Sequence, residues 1–179
     1  MPFPIGHALV GAGLFTATRL ENDFSNLKLL ILCSALTIIP DADFTFTWLF
    51  DLDGWHRGFT HSIVFGLAIA FVAILFGNIR NTRDIVALLL ASISHTLLDA
   101  LTTRVGTGVE LLWPVTTYRF RFGLFDYFSF NLNPKINPWS DIVFQLIKVT
   151  AIELIVLGPI LMIFVFVKRK CRKVCLMDT

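Results

Sequence analysis

Five apolar runs alternate with short polar stretches along the chain, and each is long enough to form a helix. They cover about residues 4–18, 27–39, 60–76, 84–101 and 141–167. The second stops near Pro40, because a proline disfavours helix in the residue before it. The first two runs would reach roughly 20 Å, against a hydrocarbon core of about 30 Å. They are therefore half-buried against the others, extended into the interface, or set in a locally thinned bilayer. The fifth is long enough to cross with tilt. No internal repeat or low-complexity stretch breaks the pattern.

Composition fixes the medium. Of 179 residues, 55% are apolar and only 16% charged, against about 25% charged in a soluble domain. Eighteen phenylalanines and a mean hydropathy of +0.73 agree. The expected fold is all-α, a single integral membrane bundle of about five helices over residues 1–179. A net charge of +2 is too small to suggest nucleic-acid binding. Cys33, Cys171 and Cys175 form neither a disulfide framework nor a cysteine zinc site. The last two are either acylated or plain tail thiols. The N-terminus has no basic region of the signal-peptide kind, so the first helix is expected to be retained.

Charge then orients the bundle. With five crossings, one side carries Arg19, Lys28, Arg80, Arg83, Lys168, Arg169, Lys170, Arg172 and Lys173. The other carries Arg57, Arg104, Arg119, Arg121 and Lys135. The positive-inside rule puts the basic tail 168–179 in the cytoplasm and the loop 102–140 outside. The same parity brings His7, Asp41, Asp43, His56, His61, His95 and Asp99 to the outer face of the membrane.

Each motif has two readings on its own. His95 and Asp99 are four apart and share a helix face, as a metal clamp or as a hydrogen-bonded pair. Asp41 and Asp43, if extended after Pro40, point to one side. They form a cation site or a solvated acidic turn. His56 and His61 would converge through a bend near Gly58, with Arg57 offering a guanidinium to an anion; otherwise this is a polar loop anchored by Trp55. His7 precedes the small residues Ala8, Gly11, Ala12 and Gly13, which permit close helix packing. In Tyr118–Phe122, alternation puts Arg119 and Arg121 on one side, as a substrate-holding lid or as part of an interfacial belt with Trp113, Phe125, Tyr127, Phe128, Phe130 and Trp139. Gln145, Lys148 and Glu153 of the last run read as structural, and Glu153 needs a partner. Together, mixed histidine and aspartate donors at one depth suit zinc, with manganese or iron as substitutes. Their number allows a two-metal centre of the kind that hydrolyses phosphoesters.

His56-Arg57-Gly58-Phe59-Thr60-His61-Ser62 resembles the signature of the membrane-bound metal-dependent hydrolases, the group that includes the LexA-regulated inner-membrane proteins. Gly6-His7, Pro40-Asp41-Ala42-Asp43, Ser94-His95 through Asp99, Leu111-Leu112-Trp113-Pro114 and Arg119-Phe120-Arg121-Phe122 follow in the same order. The resemblance covers about residues 5–125. That family is similar in turn to zinc-dependent phospholipase C and the P1-type nucleases, which are helical and bind zinc clusters through histidines and aspartates. No histidine follows His95, so the resemblance implies one or two ions rather than three.

The expected protein is a membrane-bound metal-dependent hydrolase of a phosphoester such as a lipid head group, acting at the outer membrane face. Its metal ligands would be His7, Asp43, His61, His95 and Asp99. Asp41 and His56 would stand behind them or add to them, and Arg57, Arg119 and Arg121 would hold the anion. Membrane lipids and a small-molecule or lipid phosphoester are the expected partners. A metal or ion transporter, or a scaffold with a structural metal, would use the same residues.

Overall fold

The computed structural model describes residues 4–18, 26–50, 55–103, 108–124 and 136–177. Arg19, Asp51, Asp53, Arg104, Phe125, Tyr127, Phe128, Phe130 and Lys135 lie outside these, as do the side chains beyond Lys168. The described residues form six helices and no strand ladder: α1 (Pro4–Thr18), α2 (Leu27–Leu36), α3 (Asp43–Phe50), α4 (Ile63–Gly77), α5 (Thr82–Thr102) and α6 (Trp139–Met177). Five match the apolar runs. The sixth, α3, was not expected.

The ends are set by local chemistry. Asn26, Ser62 and Asn81 cap α2, α4 and α5, accepting from Leu29, Phe65 and Arg83 backbone N–H groups. Pro40 ends the second run earlier than expected, at Leu36. It sits in a 3-10 turn, Ile39–Ala42, from which α3 starts at Asp43. Asp41 and Asp43 are therefore in a tight turn and a helix start, and not in the extended segment that the dipeptide spacing predicts. A proline at the start of a turn needs no N–H there, which is why the chain restarts as helix rather than staying extended.

By length and composition α5 and the Trp139–Lys168 part of α6 can cross a membrane, and α2 with the following Ile39–Phe46 makes a third crossing if counted as one span bent by 55°. A buried core of Phe15, Leu29, Cys33, Leu36, Ala70, Ala87, Leu88 and Ala91 joins α1, α2, α4 and α5. Two glycines set how closely these helices approach. A Cβ on Gly11 would lie 2.7 Å from the Cys33 carbonyl oxygen, and one on Gly66 would lie 3.1 Å from that of Ser92.

α6 packs along α1 and runs parallel to it. Gly6 near the start of α1 contacts Glu153, while Thr16 and Ala17 at its end contact Lys168. The start of α1, the end of α2, the approach to α4 and the end of α5 thus share one end of the bundle, where the polar residues gather.

Candidate metal centre

Five elements supply the gathered side chains. His7 comes from the first turn of α1, Asp41 from the 3-10 turn and Asp43 from the start of α3. His61 comes from a second 3-10 turn, Phe59–His61, and His95 and Asp99 from α5. His7, His61, His95 and Asp99 have no exposed surface. Asp41, Asp43 and Arg57 are also buried.

Asp41, His61, His95 and Asp99 each turn one donor atom into a space where all lie within 4.8 Å of one another. His61 Nε2 is 3.3 Å from Asp41 Oδ1 and 3.6 Å from Asp99 Oδ2. His95 Nε2 is 3.7 Å from Asp41 Oδ1. His7 joins from the side, its Nε2 3.3 Å from Asp99 Oδ1 and its ring centroid 4.1 Å from that of His95. A second group, Asp43, His56 and His61, meets the same distance limit and shares His61 with the first.

Hydrogen bonds separate the two groups. Asp43 is saturated by donors: the Thr60 hydroxyl at 2.6 Å, the Arg57 N–H at 3.2 Å and the His56 ring at 2.7 Å. His61 Nδ1 lies 3.4 Å from its carboxylate. The first group is short of partners. His95 Nε2, both nitrogens of His7 and both oxygens of Asp99 are buried without a hydrogen bond among the described residues. Buried polar atoms are normally paired, so this many in one place marks a set of donors suited to a ligand. His95 Nδ1–H donates to the Thr37 carbonyl at 2.7 Å, which fixes the tautomer with the lone pair on Nε2. The donor set of histidine nitrogens and carboxylate oxygens is one that a divalent transition metal takes.

Burial would push the His61 imidazole down. Its contacts with Asp41 and Asp43, and the Asp99 charge, outweigh burial and raise it to about 9.

Arg57 is held in an uncommon shape. Its φ is 64°, a left-handed value rare for a non-glycine residue. Its N–H bonds Asp43, its carbonyl accepts from the Glu110 N–H at 3.1 Å, and its Nε reaches to 3.6 Å from Asp99 Oδ2. Backbone strain of this kind persists only where the surroundings fix it, and it clusters at functional sites.

The structure brings His7, Asp41, Asp43, His56, Arg57, His61, His95 and Asp99 together. Asp41 stands in the four-residue group, where the sequence favours Asp43. Arg119 pairs with Glu110. Its guanidinium lies 2.9 Å from Glu110 Oε1 and 3.4 Å from the His56 carbonyl, bracing the loop that carries Arg57. Arg121 is exposed. Sequence reasoning missed Thr37, Thr60 and Glu110, whose roles depend on contacts distant along the chain.

Fold and site together define a helical membrane protein with a buried histidine–aspartate cluster at one end. The chain belongs to the YdjM inner membrane protein family, whose pattern matches residues 1–173. It is 34% identical over 127 residues to the inner membrane protein YbcI of Escherichia coli (strain K12), which covers 67% of this chain and 72% of that protein. No solved structure matches it. Both names give a location in the membrane and no activity.

Proposed function

We propose that the protein is a membrane-bound metal-dependent hydrolase of phosphoesters, with a lipid head group as its substrate class. The observation that carries this reading is the buried cluster of Asp41, His61, His95 and Asp99, in which His95 Nε2 and both Asp99 oxygens make no hydrogen bond among the described residues. Asp41, His61, His95, Asp99 and the adjacent His7 would hold one or two divalent ions, zinc being the best match and manganese or iron the alternatives. When bound, the metal supplies Lewis acidity to a water and to a phosphoryl oxygen. Asp43 orients His61, as carboxylates behind metal-bound histidines commonly do. Arg57 offers a guanidinium beside the cluster for a phosphate oxygen. Arg119 acts on the anion through the Arg57 loop, and Arg121 meets it from the surface.

The division of loop charges supports a site on the extracytoplasmic side and a cytoplasmic tail. An ion-transport role finds less support. Beyond the cluster lies the buried apolar core around Phe15, Leu36 and Leu88.

The test is metal analysis of the purified protein together with Asp41→Ala, His95→Ala and Asp99→Ala, then a screen of phosphomonoester and phosphodiester probes. Bound metal in the wild type, its loss in the variants and a phosphoester turnover lost with it are expected. Full metal content in all three variants would overturn the ligand assignment. A loaded protein that hydrolyses no phosphoester would overturn the activity.

A further inference from the structure

Glu153 is 1% exposed, although its neighbours Ile152, Leu154 and Ile155 on α6 are all exposed. A carboxyl group at this depth in a membrane helix requires a partner. Its Oε2 accepts from the Gly6 N–H at 2.8 Å. Gly6 lies in the first turn of α1, where backbone N–H groups have no partner within the helix. A Cβ on Gly6 would lie 2.6 Å from Glu153 Oε1, so a side chain there would push the carboxyl aside. At the other end of α1 the Lys168 amine donates to the Thr16 and Ala17 carbonyls, the latter at 3.2 Å. α6 therefore grips α1 at both ends and fixes it along its axis.

The residue after Gly6 is His7. Neither of its ring nitrogens makes a hydrogen bond among the described residues. Its polar contact is with the cluster itself, Nε2 lying 3.3 Å from Asp99 Oδ1, so where the ring enters is set by the α1 backbone that carries it. We propose that Glu153 is a positioning residue: through the Gly6 N–H it sets the axial register of α1 and so delivers His7 to the cluster. This rests on the reading of the cluster as a metal centre.

The probe is Co(II), titrated into the purified full-length protein in detergent and followed by its visible absorption. Glu153→Ala is expected to weaken Co(II) binding by about 10- to 100-fold, as loss of an orienting partner does, and to change the spectrum in the same way as His7→Ala. Glu153→Gln keeps an acceptor oxygen and should retain the wild-type spectrum. Glu153→Ala placed on His7→Ala should produce no further change. Gly6→Ala pushes the carboxyl away without removing it and should shift the spectrum as Glu153→Ala does, which serves if Glu153→Ala does not fold. A merely structural role would lower thermal stability while leaving the spectrum and affinity of the folded protein intact, and that result would overturn the proposal. Wild-type protein that binds no Co(II) or zinc would instead remove the metal reading itself, and this inference with it.

Discussion

A histidine sealed from solvent needs a partner for each ring nitrogen, and His61 finds carboxylates on both sides. In the metal-free protein this favours the imidazolium. Its folded value of about 9 lies above the ordinary 6.5. The stabilisation is therefore complete below pH 6.5 and is lost as pH rises through 9. The apparent melting temperature of metal-free protein should fall across that window, and His61→Gln should flatten the profile. Zinc must displace the same proton, so its affinity should rise with pH across the window, by up to about tenfold per unit for one proton. Titrations at several pH values that gave one affinity would contradict this. Arg119 makes a second residue-scale case. Alternation in Tyr118–Phe122 identified the two arginines, but it does not reveal that Glu110, nine positions earlier, holds one of them. Arg119→Ala and Glu110→Ala should each lower turnover in a screened assay while leaving metal content unchanged. Their double variant should be little worse than either single one, because the two act as one brace.

Helix identity was legible because it needs only local information: five runs of apolar residues and a proline. The missed element shows where local information ends. α3 is eight residues, Asp43–Phe50, and its apolar stretch is too short to separate from a loop. The break at Pro40 was visible, but the 3-10 turn that follows it was not, and that turn decides which of Asp41 and Asp43 enters the four-residue group. Small residues at the start of α1 pointed correctly to close packing, and the structure gives the partner. Gly11→Ala should force a methyl to 2.7 Å from the Cys33 carbonyl, which is backbone and cannot turn aside. A destabilisation of about 1–3 kcal/mol is expected, as for other overpacked contacts. Gly13→Ala, whose added carbon meets only Leu161 at 3.5 Å, should be close to neutral. Equal melting temperatures for the two variants in one detergent would count against this packing of α1 on α2.

At the scale of the whole molecule, convergence was legible because helix parity alone brings chain-distant residues to one end of a bundle. Glu153 was marked as needing a partner, but only the fold could supply Gly6, 147 residues away. That pairing also works as a ruler. Glu153 and Lys168 grip the two ends of α1 from fifteen residues apart, which is about 22 Å along a helix. The hydrocarbon layer is about 30 Å thick. A lysine amine at the end of a span reaches for the polar boundary. With Lys168 at one boundary, the level of Gly6 and His7 lies ~8 Å short of the other. Either the bilayer dimples to meet the cluster or the cluster sits beneath the headgroup layer. The protein should accordingly be more heat-resistant in short-chain than in long-chain phosphatidylcholine bilayers, and equal resistance in both would show that no such depth mismatch exists. On the proposed hydrolase reading, an ester reaching this cluster would have to be drawn downward out of the aqueous layer, so the sinking of the head group, and not only its chemistry, would select the substrate.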